Sequence, residues 1–205
     1  MFRAAKDYFV ALVIAAQCMV ASQVHSAIED YVTLKKPAGI SPFELRDQDN
    51  QAFNLEDLKN HWSLIFIGFT TCPDVCPVTL ANLEAVRAEM GLRMSPGRIP
   101  RIVFLAVDPD RDTPVLKEYL TYFHPKYIGL SGKVEQIDSL IKSLDAFYRL
   151  DKKYPEHRDY DVLHSAFVAV TNPEGEMVAK LNPPFHPHKT AEYLTHLIRG
   201  VKFDD

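Results

Sequence analysis

Cysteine is scarce in this chain: of 205 residues only Cys18, Cys72 and Cys76 carry a thiol. Three is too few for a disulfide-stapled scaffold, and an odd number leaves at least one thiol unpaired or outside the mature fold. Charge of one sign is also in short supply. A formal net charge of -4, from 23 basic and 27 acidic side chains, gives no chain-wide basic field of the kind a phosphate backbone requires, so nucleic acid is not an expected partner. Long hydrophobic runs are missing too. The longest, Phe9 to Ala21, is broken at Gln17 and falls short of the ~20 apolar residues that a membrane-spanning helix needs. There is no internal repeat, low-complexity tract or second-domain linker. What is there, 47% hydrophobic and 24% charged residues, suits one domain with a sizeable core.

Arg3 and Lys6 precede the N-terminal apolar run, and the small residues Ser22, Ser26 and Ala27 follow it. That is the order of a secretory signal. Residues 1–27 are therefore expected to be an export signal, cleaved or kept as a membrane anchor, and residues 28–205 the folded domain. The expected location is the bacterial periplasm or the outer face of the inner membrane. Gln17 argues against lipid attachment at Cys18, because lipoprotein signals place a small residue there. On this reading Cys18 belongs to the signal, and the mature protein keeps one close pair, Cys72 and Cys76. A disulfide closing so small a loop removes little denatured-state entropy, so the pair reads as chemistry rather than stapling.

Leu64 to Phe69 and Ile102 to Val107 are short apolar segments rich in strand formers, expected as strands buried on both faces. The loop Thr70 to Pro77 follows the first, and Leu80, Leu83, Val86, Ala88 and Met90 then recur at roughly helical spacing up to Gly91. Thr113 is expected to cap a helix that starts at Pro114 and stops before His124-Pro125. A short apolar step at Ile128 to Leu130 leads to a helix expected over Val134 to Tyr148, with Ile137, Leu140, Ile141 and Leu144 on one face. Ala166 to Val170 and Met177 to Leu181 read as a hairpin around Asn172-Pro173-Glu174-Gly175, and a last helix follows Pro187. The order predicts an α/β, thioredoxin-like fold: a central mixed sheet flanked by helices. Phe43, Leu45, Phe53 and Leu55 would supply an added N-terminal hairpin.

Cys72 and Cys76 stand at the junction of strand, loop and helix. At the start of a helix, i and i+4 positions can share one side with Cβ atoms about 5–6 Å apart. The sulfurs would then reach a common ion or, after adjustment, each other. Helix N-termini favour thiolates, the form that binds metal and attacks disulfides, so lowered thiol pKa values are expected. An inert structural bridge is the competing reading. Two thiolates leave a mononuclear metal site incomplete, which directs attention to the histidines. His61, His124, His157 and His196 read as solvated, and His186-Pro187-His188 as a loop before the last helix. His164 differs: it follows Tyr160-Asp161-Val162-Leu163 and precedes the strand from Ala166, which makes it either the third ligand or a satisfied structural histidine.

These segments carry a resemblance. Gly68-Phe69-Thr70-Thr71-Cys72-Pro73-Asp74-Val75-Cys76-Pro77, Val107-Asp108-Pro109-Asp110-Arg111-Asp112-Thr113-Pro114, Tyr127-Ile128-Gly129-Leu130-Ser131-Gly132, His164-Ser165 and the Asn172 to Gly175 turn occur in the order found in the Sco/SenC family. The chain resembles these copper-binding, thioredoxin-fold proteins over about residues 40–200. The resemblance implies that Cys72, Cys76 and His164 are copper ligands, one ion per monomer, Cu(I) or Cu(II), a donor set whose softness suits the metal. It also implies a role in assembling cytochrome c oxidase, with the copper-bearing subunit or another copper chaperone as partner. Members commonly have aspartate just before the histidine; here Leu163 stands there, with Asp161 nearby. The Asp108 to Pro114 segment reads either as a loop shaping partner contact at Asp108 or Asp112 or as a turn and helix cap.

Copper delivery, not an enzymatic activity in the usual sense, is the leading expectation. A thiol-disulfide oxidoreductase using Cys72 and Cys76 is the alternative. A peroxidase of the peroxiredoxin type fits less well, since those enzymes place threonine three residues before the reactive cysteine and Cys76 has Pro73 there. In an oxidising compartment a bare pair tends to the disulfide, so either role calls for an external thiol reductant.

Overall fold

A continuous apolar run with no polar alternation belongs in the middle of a sheet covered on both faces. Leu64, Ile65, Phe66 and Ile67 behave accordingly and are wholly buried. Each such side chain contributes about 1.5–3 kcal/mol of apolar transfer energy. The computed structural model describes residues 30–152 and 160–200. The expected signal segment, Cys18 and His157 lie outside the described residues.

Ten strands are described: β1 (Tyr31–Gly39), β2 (Glu44–Asp47), β3 (Ala52–Asn54), β4 (Ser63–Gly68), β5 (Arg101–Ala106), β6 (Ile128–Ser131), β7 (Tyr148–Leu150), β8 (Val162–His164), β9 (Val168–Thr171) and β10 (Glu176–Leu181). Eight form one sheet in the order β1-β10-β9-β4-β5-β6-β2-β3, and β7 with β8 forms a separate two-stranded sheet. The helices are α1 (Leu55–Leu58), α2 (Val75–Gly91), α3 (Pro109–Asp112), α4 (Leu116–Phe123), α5 (Val134–Ser143) and α6 (Pro187–Arg199). β4, β5 and β6 run parallel, whereas β9 joins β4, and β10 joins β9, antiparallel. The mixed sheet flanked by helices is the one expected, and the β2–β3 hairpin extends it beyond β6. β1, which closes the opposite edge on β10, was not legible in the sequence.

Two expectations need correcting. The helix expected from Thr113-Pro114 is two: Pro109 opens the single turn α3, Thr113 is its C-cap, and Val115 caps α4. Thr113 Oγ1 pairs with Ser131 Oγ at 3.1 Å, so it is not a helix N-cap. The helix expected to reach Tyr148 stops at Ser143, where Leu144 caps it and Asp145 takes φ 49°. A left-handed residue reverses the chain, and Tyr148 pairs with His164 across β7–β8. Among the described residues no helix is long and apolar enough to cross a membrane.

Candidate functional site

β4 and β5 end side by side, Gly68 opposite Ala106. In open α/β sheets ligands gather outside the carboxyl ends of parallel strands, and the loop after β4 carries the cysteines there. A Cβ on Gly68 would stand 2.7 Å from Phe104 Cε2 and 3.0 Å from Cys76 Sγ, so glycine at this position is what lets the sulfur settle over the strand end. Cys76 is the second residue of α2 and wholly buried; Cys72, in the loop before it, is half-buried. Both are unbridged. The Cys76 amide donates to Cys72 Sγ at 3.4 Å. Asp74, the N-cap by position, makes no side-chain cap bond, so the Cys72 sulfur receives an amide proton the first turn would otherwise leave open.

His164 comes from β8. Its ring meets Phe66 and Phe69 edge-on, at centroid separations of 6.3 and 6.0 Å. Nδ1 lies 3.0 Å from the Ser165 carbonyl oxygen, which can only accept, so Nδ1 carries the proton and Nε2 presents its lone pair. Nε2 faces Cys76 Sγ at 3.9 Å. Burial lowers the pKa of the ring, and the weaker pull of the Ser165 carbonyl opposes this. His164 is therefore a neutral imidazole with a fixed tautomer, the form in which histidine ligates a metal.

At Cys76 the thiol expectation fails. Burial pushes its pKa well above the thiol range, outweighing the backbone hydrogen bond from Phe69 that acts in the other direction. Position at a helix N-terminus does not offset burial this complete.

A metal ion about 2.3 Å from a sulfur and about 2.0 Å from a ring nitrogen, the lengths seen at zinc sites, separates them by about 3.7 Å when they subtend about 120°. The Cys76–His164 spacing matches that requirement. Among the described residues, however, no three His, Cys, Asp or Glu side chains form a ready metal-binding group. Cys72 is turned to the Cys76 amide instead.

The other candidates separate from this site. His186 is the exposed N-cap of α6, and His188 Nε2 pairs with Arg93 Nη2 at 2.8 Å. His61 is exposed, while His124 and His196 are half-buried, His124 accepting from the Lys126 amide through Nδ1. Leu163 is exposed on the opposite face of β8 from His164, and Asp161, just before the strand, is exposed as well. Asp112 does reach the site: its Oδ1 accepts from the Thr70 amide and hydroxyl, both at 2.7 Å. Thr70 and Arg111 stand in the segments that carry the resemblance and Tyr160 in the approach to His164, but the sequence assigns none of these three network residues a role of its own.

Residues 32–199 match the family model described as SCO1/SenC. The chain belongs to the SCO1/SenC family. It is 37% identical over 153 residues to a SCO2-like protein of Rickettsia felis, covering 74% of this chain and 73% of that one. Among solved structures it is similar to Bradyrhizobium japonicum ScoI with copper bound, at 34% identity and a TM-score of 0.67, covering 78% of this chain and 99% of that one. Yeast Sco1 with copper bound gives a TM-score of 0.73 at 30% identity, covering 80% and 90%. The fold of this SCO1/SenC chain is thus thioredoxin-like, with β1 and the β2–β3 hairpin as additions at the two sheet edges.

Proposed function

We propose that this SCO1/SenC protein binds one copper ion through Cys72, Cys76 and His164 and passes it to the copper site of cytochrome c oxidase, directly or through another copper chaperone. The observation that carries the reading is the approach of His164 Nε2, lone pair outward, to Cys76 Sγ at 3.9 Å. Two thiolates and an imidazole suit Cu(I) and also accept Cu(II). Copper-bound relatives among the similar structures support the choice of metal. Binding requires Cys72 to turn from the Cys76 amide, and Cys76 to release its proton to solvent as its thiolate coordinates the metal, as coordinating thiols do. Residues 1–27 would export the chain to the periplasm or hold it at the outer face of the inner membrane, where a thiol reductant must keep the pair reduced. Reduced protein loaded with copper and dialysed should retain about one ion per chain, and Cys72→Ala, Cys76→Ala and His164→Ala should each lose it. Reduced wild type emerging without copper overturns the proposal.

One observation favours a second activity. Cys72 is half-buried while Cys76 is wholly buried, the asymmetry of an attacking and a resolving thiol. Cys72 thiolate would attack a target disulfide, and Cys76 would displace the mixed disulfide, releasing the target as a dithiol and leaving Cys72–Cys76 oxidised by two electrons. In the metal-free reduced protein, iodoacetamide should modify Cys72 at least about tenfold faster than Cys76, given the thiolate dependence of the reaction. Equal rates would remove the basis for this order of attack.

A further inference from the structure

Asp108 and Asp112 are both 0% exposed, and each bonds beyond the helix at which it sits. Asp108 occupies the N-cap position of α3 but makes no side-chain cap bond. Its carboxylate turns toward Tyr160 instead. The Tyr160 hydroxyl donates to both oxygens, at 2.9 and 2.8 Å, and Arg111 Nε pairs with Oδ2. Arg111 also covers the Tyr160 ring at 3.8 Å and donates from Nη1 to the Tyr160 carbonyl at 3.1 Å. Asp112 points the other way. Besides the two bonds from Thr70 to its Oδ1, its Oδ2 accepts from the Asp108 amide at 3.1 Å. A turn that needed only a cap would leave these carboxylates in water. Burying two, each with its acceptors filled, is costly to assemble and strongly position-specific, because removing a partner strands a buried charge.

The two sets of bonds lead to the two halves of the site. Thr70 lies two residues before Cys72, and Tyr160 four before His164. We propose that the Asp108–Asp112 turn is a positioning clamp for the metal site: Asp112 holds the cysteine loop through Thr70, and Asp108 with Arg111 holds the approach to β8 through Tyr160. One rigid turn at the end of β5 thereby sets the distance between Cys76 and His164. β5 is fixed against β4 by the parallel ladder and by the Val107 amide bonded to the Gly68 carbonyl at 3.0 Å, so the clamp shares its base with the cysteine loop. Arg111 also stands 5.9 Å over the Phe69 ring, which itself walls His164. Neither aspartate touches the metal on this proposal, which rests on the assignment of Cys72, Cys76 and His164.

The test uses Asp112→Asn and Tyr160→Phe in the whole protein. In the metal-free reduced state, the nuclear Overhauser contact between the His164 ring and the Cys76 side chain should weaken in both variants. Copper affinity should fall about 10- to 100-fold, the range for residues that orient ligands, and the thiolate-to-Cu(II) absorption band should shift, with both thiols still titratable. Should Asp112→Asn fail to fold, Tyr160→Phe, which removes one oxygen from a half-buried ring, decides alone. A folded Tyr160→Phe with an unchanged contact overturns the clamp. If wild type binds no copper, the metal assignment fails, while the contact measurement still judges the clamp.

Discussion

His164 is held by three things of different kind: a carbonyl that fixes its tautomer, two aromatic edges that fix its plane, and burial that keeps it neutral. Because its folded pKa lies below the ordinary imidazole value of 6.5, the unfolded chain takes up the proton first as pH falls. Its contribution to stability is therefore present above about pH 6.5 and is lost as pH drops through the folded value. Urea unfolding of the metal-free protein at pH 7.5 and pH 5 should show a larger loss for wild type than for His164→Gln. An equal loss in the two would mean that the ring gains its proton as readily folded as unfolded. The identity of this residue was legible in the sequence, from its place ahead of a strand; its tautomer and its neighbours were not, since the first depends on how the backbone brings the Ser165 carbonyl to Nδ1 and the second on Phe66 and Phe69, almost a hundred positions earlier in the chain. For Cys76 the sequence pointed the wrong way. A helix N-terminus is visible as a motif, but the burial that outweighs it depends on how β4, Phe104 and β8 close around the sulfur.

Among the elements, the parallel strands and the last helix followed from local pattern alone, because β4 and β5 are uninterrupted apolar runs and α6 has its Pro near the start and Gly200 in the left-handed region at its end. The β7–β8 hairpin did not, although it delivers the histidine. Tyr148 continues the apolar rhythm of α5, and only the left-handed turn at Asp145 diverts it into a strand. Helix α4 likewise depends on a feature without a periodic signature. A Cβ on Gly129 of β6 would strike Leu120 Cδ1 and stand 2.7 Å from Leu116 Cγ. Both leucines are buried, so α4 rests directly on the bare strand. Gly129→Ala should lower stability by about 1–3 kcal/mol, the cost of overpacking a filled core. Urea denaturation checks this, and a change near zero would show that α4 yields at no cost.

For the whole molecule, the sheet does more than carry the core. The carboxyl ends of β4 and β5 bring the cysteine loop and the Asp108–Asp112 turn together, and the separate β7–β8 sheet brings His164 to them from a distant part of the chain. The three proposed ligands thus come from two segments that are far apart in the chain, the cysteine loop with the start of α2 and β8. That the three side chains share one copper ion is the central claim, and Cu(II) bound to the reduced protein addresses it most directly. Wild type should show a thiolate-to-Cu(II) charge-transfer band together with nitrogen hyperfine coupling in spin resonance, and His164→Ala, which should not retain copper, should lose both. The same nitrogen coupling in His164→Ala, or no sulfur band in wild type, would contradict it.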